Sequence, residues 1–546
     1  MDYGQHFNVK ETPQSEKIPG SKQVANSAGG FAFAVDDWVR LDRFLILGSE
    51  GGSYYATEKK LTKESSEAVL RCLKADGART VARIVEISDL GRAPKNDPAI
   101  FALAMAAGLG DAETKVAALE ALPKVCRIGT HLFHFAQAVE GFRGWGRGLR
   151  RAVGAWYLAK TPEQIALQLA KYQQRDGWSH RDLLRLSSPK SDKAATQAMF
   201  RWAVGAEPSE RKVTRRVGKE ERIDKYPAVD EGLLPKVIVG FKLAQQSKEA
   251  KPRDAAKIIA DYELPRECVP TEWLKHAEVW EALLVDMPMT AMIRNLGNMS
   301  KIGLVAPNSD AAKKVCKELV DVAKLKKARV HPVTVLMALR TYASGRGLRG
   351  HGEWTAVPQV VDALDDAFYL AFDAVEPTGK RWMLGLDVSG SMASPVAGTA
   401  MSCCEGATAL ALVTAHTEQD YLVGRFNQGY ETCPFTKKTR LDEALKHTQS
   451  INGGGTDCSL PMVMALEKKW KFDVFTILTD SETWAGKIHP VQALRRYRDK
   501  MGIAAKLIVV GMVSNGFSIA DPDDGGMLDV VGFDTAVPQL MADFSR

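Results

Sequence analysis

The chain has 546 residues, 45% hydrophobic and 25% charged, with a formal net charge of +7, a balance ordinary for a globular protein. It contains no run of about eighteen apolar residues, which excludes a membrane-spanning helix, and the polar stretch from Met1 to Lys22 lacks the apolar segment of a secretory signal. Eight scattered cysteines with no Cys-x-x-Cys pair exclude a zinc ribbon or a disulfide framework and read as reduced thiols of a cytoplasmic protein.

In chain order, residues 1–22 read as a flexible arm. An ordered region is expected from Ser27, with Trp38, Leu41, Phe44 and Leu45 at helical spacing before a glycine-rich turn over 48–52. From there to about Phe372, apolar residues recur at i, i+3, i+4 and i+7 between short polar breaks. Trp273, Ala277, Trp280 and Leu284 form one such stripe. Helix after helix over 23–375 is more economically stacked as a solenoid than gathered round one core, because single cores stop growing near about 250 to 300 residues. HEAT-like helical pairs are therefore expected, on periodicity and length rather than on a clean repeat.

Charge divides unevenly. Residues 376–546 hold 17 Lys and Arg against 20 Asp and Glu, net −3, which leaves 56 against 46, net +10, for the part before them. A basic surface facing a polyanion is one reading of that excess, and a diffuse solvated surface is the other. The most informative basic stretch is 170–187. Lys171 and Arg175, four apart, are expected on one helix face, with Asp176-Gly177 ending that helix and Ser179 capping the next. His180 and Arg181 would then lie in a first turn, where cations oppose the helix dipole unless an anion such as phosphate sits there. The bland alternative is a core Trp178 with merely solvated charges around it. The charge-dense stretch 205–222 is expected to be a mobile loop, with nucleic-acid contact through its arginines as a second reading.

Near Glu376 the pattern changes to short buried strands alternating with helices. Strands fit Trp382 to Leu386, Tyr421 to Phe426, Val474 to Thr479 and Ala505 to Met512. Helices fit Cys404 to Thr417, Pro461 to Lys469 and Pro490 to Met501. That alternation implies a parallel sheet covered on both faces, over 376–546. Its first strand runs into Asp387-Val-Ser389-Gly-Ser391, the glycine-rich loop at 452–457 brings Thr456, and the strand from Val474 ends at Asp480. Two carboxylates and three hydroxyls at the carboxyl ends of neighbouring strands form a hard-oxygen set suited to Mg²⁺, with one position open to an outside ligand. A lone Asp-x-Ser-x-Ser would be an ordinary turn; three separated segments together make the metal reading specific.

This combination resembles the metal-ion-dependent adhesion site of von Willebrand factor A domains. The stretches 40–55, 125–133, 144–150, 170–187, 287–297, 345–350, 454–461 and 519–524 together resemble the Ro sixty-kilodalton autoantigen family, nearly end to end. The resemblance implies a multidomain chain: an all-α HEAT-like repeat ring, the TROVE module, followed and closed by an α/β doubly wound von Willebrand factor A domain. It implies small noncoding Y RNAs on the outer ring surface and misfolded RNAs threading a single-stranded 3′ end into a central hole. Lys171, Arg175 and His180 match the family's RNA-contacting positions, and Arg127, Thr130 and His131 lie in another matched stretch. The long N-terminal segment and the region of Arg215 and Arg216 depart from the family pattern.

A monomeric, cytoplasmic ribonucleoprotein component is expected, with a nuclear pool in a eukaryote and no role for DNA or a membrane. A scaffold that docks acidic protein partners through the metal position is the competing reading. Catalysis is not expected: the sequence offers no nucleophile with a neighbouring base, no phosphate-binding Walker loop and no metal pair.

Overall fold

The structure is a computed structural model that describes residues 11–48, 66–205, 209–214, 221–226, 229–347, 352–372, 375–396, 401–448, 454–513 and 515–546. The turn expected at 48–52 lies mostly outside these residues, as do Arg215 and Arg216.

Between Asp37 and Leu370 the chain is built of helices packed against their near neighbours in sequence. Apolar stripes drive this: Leu41, Phe44 and Leu45 of the first helix, Asp37–Leu47, are fully buried, as the spacing predicts. The Trp273 stripe is split. Trp273 lies in a short 3-10 turn, Trp273–Lys275, and Trp280 in the helix Ala277–Leu284, yet both indoles are buried. The helical array closes on itself. Arg329, near its end, pairs with Asp89 at 2.8 Å, and His331 Nε2 donates to the Arg92 carbonyl at 3.2 Å.

The C-terminal part is a six-stranded sheet, in the order Met527–Val531, Lys506–Gly511, Val474–Thr479, Arg381–Asp387, Asp420–Phe426, Tyr430–Cys433. The first five strands are parallel and the last is antiparallel. The four expected strands are its centre, and the expected helices appear as Cys403–Thr417, Leu460–Glu467 and Pro490–Met501. The strands at the two edges were not expected; they are short and only partly apolar, as edge strands often are.

Three expectations are corrected. The segment 11–22 is not a free arm: Gln14 Nε2 donates to Asp457 at 2.7 Å and to the Ile488 carbonyl at 2.8 Å, and Thr12 N to Gln492. Beyond it, Gln23–Ala25 and Phe31–Ala34 form a three-stranded sheet with Phe517–Ser518, so residues 11–34 belong with the C-terminal sheet although they precede the helices. The stretch expected as a loop after Gly205 carries an antiparallel pair, Ser209–Thr214 with Glu221–Tyr226. Its charge density concealed Val213, Thr214, Ile223 and Tyr226, residue types that favour strands.

Two buried arginines join the parts. Arg43, 1% exposed, donates to Asn515 and to the Phe517 carbonyl and pairs with Asp529 at 2.8 Å. Arg92 pairs with Asp534 at 3.2 Å, the carboxylate fully buried.

Candidate metal and nucleic-acid sites

The strand Arg381–Asp387 delivers Asp387 fully buried at its carboxyl end. The turn after it folds back on that carboxylate. Ser389 Oγ donates to Asp387 Oδ1 at 2.6 Å and lies 3.2 Å from Ser391 Oγ, while Thr479 Oγ1 donates to Asp387 Oδ2 at 2.6 Å. Ser391 hydrogen-bonds Asp480, which ends the neighbouring strand. Four of the five expected oxygen donors are therefore together. Thr456 is buried and held to the same region through its carbonyl, which accepts from Trp484 N at 3.0 Å and Ala485 N at 3.1 Å.

The electrostatics of this cluster are unfavourable as it stands. Burial and the charge of Asp480 push Asp387 up to about 7, and burial raises Asp480 as well. Glu482, buried two residues later, is pushed up to about 7 by burial and by Asp480. Asp480 Oδ2 and Glu482 Oε1 are buried without a hydrogen-bond partner. An orphaned buried carboxylate oxygen beside a second carboxylate and two hydroxyls fits a hard divalent cation, which would supply the missing positive charge. Among the described residues no group of three or more His, Cys, Asp and Glu is placed to hold a metal, so any such ion would rely on the hydroxyls.

Supports that the sequence reading missed come from far along the chain. Asn26 Nδ2 donates to the Thr483 carbonyl at 2.8 Å and Ala28 N to Glu482 Oε2 at 3.1 Å, so the N-terminal strap holds the loop after Asp480. Asn515 Nδ2 donates to the Asp480 carbonyl at 2.6 Å, and Asn515 is itself held by Arg43 of the first helix. Glu482 stands two residues beyond Asp480, the one sequence signal that could have flagged it.

In the helical part, the stretch 170–187 differs from its expected layout. The helix ends at Lys171, and Gln174–Arg175 pairs with Trp178–Ser179 across an Asp176-Gly177 turn with φ of 52° and 78°. Asp-Gly with both residues left-handed is a two-residue hairpin turn rather than a helix end. Lys171 and Arg175 therefore do not share a helix face. The Arg175 side chain is 62% exposed and lies 3.8 Å from Asp176, whereas Lys171 is 16% exposed and 3.7 Å from Glu267. The turn is fastened by a hydrogen bond between His134 Nδ1 and Asp176 Oδ2, and Trp178 packs against Trp145 with ring centroids 5.3 Å apart.

His180 is corrected from surface contact to core. It is buried, its Nε2 donates to the Gln168 carbonyl at 3.1 Å and its Nδ1 accepts from Tyr157 Oη at 2.7 Å, so neither nitrogen is left for a phosphate. Burial lowers its pKa to about 3. Ser179 caps this helix with Asp182, as expected. Arg181, one residue on, is exposed instead.

Arg127 is half-buried and donates to Ser88 Oγ and to the Lys124 carbonyl, each at 3.0 Å; burial and Arg329 across the array's closure lower its pKa. His131, in the first turn of the helix Gly129–Glu140, is lowered to about 4 by burial and by Arg127. Thr130 is half-buried beside it. Of these three only Arg127 carries a charge near neutral pH, and it stands apart from Arg175, with His131 neutral beside it.

Comparison with known proteins agrees with this layout. Residues 24–341 match the family model described as the TROVE domain, and residues 381–545 the Ro60 vWA domain. The chain is 40% identical over 544 residues to a Deinococcus radiodurans protein named RNA-binding protein RO60, covering 99% of this chain and 98% of that one. It is 37% identical over 594 residues to the Caenorhabditis elegans protein of the same name, covering 98% of this chain and 92% of that one. The crystal structure of the Deinococcus radiodurans RO (RSR) protein superposes with a TM-score of 0.69 at 39% identity, over 94% of this chain and 99% of that one. A TROVE helical region followed by a Ro60 vWA sheet domain, matched almost end to end by such relatives, places the chain in the Ro60 family.

Proposed function

We propose that the protein binds small noncoding RNA through the basic face of its helical array, as a component of a cytoplasmic ribonucleoprotein particle and without catalysing a reaction. The observation that carries this reading is Arg175, presented to solvent on a fastened hairpin in a chain whose relatives are named RNA-binding proteins. Exposed Arg181 and mostly buried Lys171 flank it in sequence. Y RNA-like molecules on the outer surface, and misfolded RNAs entering a central opening by a single-stranded 3′ end, are the partners this reading names. Closure of the array between Asp89 and Arg329 supports such an opening. An extended single strand would pass where an A-form duplex would not. Sequencing the RNA that copurifies with a monomeric preparation tests the reading; ribosomal background alone would contradict it.

A second reading concerns the sheet domain, and the orphaned Asp480 Oδ2 favours it. Asp387, Ser389, Ser391, Thr456 and Asp480 would hold Mg²⁺, directly or through water, and the ion would supply a Lewis-acidic position for an acidic side chain of a protein partner. The residues themselves orient one another by the hydrogen bonds from Ser389 and Thr479. Docking of this kind is lost to chelator, whereas RNA binding by phosphate contacts is lost to salt.

A further inference from the structure

Where the helical array closes, the segment 94–95 faces the helices Met289–Lys301 and Pro332–Ala343 across a cavity of about 440 Å³. Ile293, Leu296 and Val333 give it an apolar floor. One wall is a pair of rings, Tyr342 and Trp354, 6.2 Å apart and 20° from parallel. The indole is fixed in place: its Nε1 donates to the Tyr342 carbonyl at 3.0 Å, and a Cβ added at Gly297 would lie 2.8 Å from its ring. Trp354 therefore lines the cavity without being free to fill it. Asn298, Thr334 and Thr341 add hydrogen-bonding groups at the margin.

The charged lining is of one sign. Lys95 and Arg294 are both exposed, no acidic residue lines the cavity among the described residues, and Arg294 has no ion-pair partner among them. The cleft beside the Arg175 hairpin, of about 500 Å³, is the opposite case, lined by Glu140, Asp176 and Asp182 with a single arginine. An apolar, ring-walled cavity with polar groups at its edge and cations at its margin suits a flat heterocycle that carries an anion.

We propose that this cavity takes one unpaired nucleotide of the bound RNA, the base against the Tyr342–Trp354 wall and the phosphate on Lys95 and Arg294. The proposal rests on the RNA-binding reading and deepens it by naming a second, base-binding site far along the chain from Arg175. Bases in a duplex are stacked and out of reach, so only an unpaired nucleotide qualifies.

The test uses the full chain, a hairpin RNA with an unpaired 3′ uridine tail carrying 4-thiouridine, and the same hairpin blunt-ended. Ala338→Phe fills the cavity. It should weaken binding of the tailed RNA on the order of tenfold, leave the blunt RNA unchanged, and remove photo-crosslinks to peptides covering 293–298 and 334–342. Arg294→Ala, at an exposed position, guards against a filling variant that fails to fold: it should flatten the slope of log affinity against log salt for the tailed RNA by about 0.7. Native binding of the tailed RNA that folded Ala338→Phe leaves intact, or an unchanged slope in Arg294→Ala, overturns the cavity assignment alone. Failure of the native protein to bind either RNA overturns the RNA reading and this site with it.

Discussion

The two parts of the molecule place their polar chemistry in opposite ways. In the sheet domain it is buried and concentrated: Asp387, Asp480 and Glu482 are each 1% exposed or less, with two carboxylate oxygens lacking partners. In the helical array, Arg175 is 62% exposed, the buried Arg43 and Arg92 are paired with carboxylates of the sheet domain, and the buried His180 and His331 are neutral and hydrogen-bonded. A buried, unsatisfied cluster can gain much from one ion and is indifferent to bulk salt. A dispersed cationic face gains little from any one contact and is governed by salt. The two proposed sites are therefore expected to respond to different reagents.

The largest effect is expected from removing the buried carboxylates. Asp387→Ala with Asp480→Ala should abolish Mg²⁺ binding in calorimetric titration, and with it the roughly 2.7 kcal/mol of stabilisation that the ion gives the native chain at a hundred times its Kd. RNA affinity should be unchanged. Ion binding that survives in the double variant contradicts the assignment of these oxygens.

Acid should act on the helical part through its buried histidines. The folded pKa of His180 is lowered to about 3, and burial lowers His331 to about 4. The unfolded chain therefore takes up these protons first, and stability is lost as pH falls below about 6.5. Each histidine should cost about 2 kcal/mol between pH 7 and pH 5. Denaturant titration of His180→Gln should show a correspondingly shallower pH dependence; an unaltered profile would place His180 in solvent.

A smaller effect is expected at the hairpin. Lys171→Ala with Arg175→Ala should flatten the salt dependence of RNA affinity by up to about 1.5 logarithmic units. Most of the change should come from Arg175, because Lys171 is mostly buried beside Glu267. An unchanged slope with circular dichroism intact would move the RNA site elsewhere on the array.

The smallest effect probes the link between the parts. Asn515→Ala removes a hydrogen bond to the Asp480 carbonyl and a contact to Arg43. A loss of about 1 kcal/mol should appear as a several-fold weaker Mg²⁺ affinity. No change there would mean that the loop bearing Asp480 is held without help from the helical part.

What was legible in the sequence follows the same division. Asp387, Ser389 and Ser391 alternate within five residues, the first ending a strand whose apolar run announces it, so motif and context coincide. Asn26 and Asn515 were not legible, since their roles depend on contacts across 457 and 35 residues. The packing of residues 11–34 on the C-terminal part was hidden for the same reason: Phe33 and Ala34 pair with a strand at 517–518, and Gln14 bonds Asp457. In the helical part the existence of helices was plain and their facing was not. His180 shares the i, i+3 and i+4 face of Leu183 and Leu184, both buried, and that spacing was the available signal of a core position. Asp176-Gly177 likewise signals a hairpin turn, which sets Arg175 apart from Lys171.

The most direct test of the account is one RNA-binding titration on the native protein, repeated across salt concentrations with and without EDTA. A log–log fall with salt that EDTA leaves unaltered is the predicted result, because the phosphates meet the helical array and not the buried carboxylates. Binding abolished by EDTA and flat in salt would show that the sheet domain's oxygen cluster, not the basic helical face, holds the RNA.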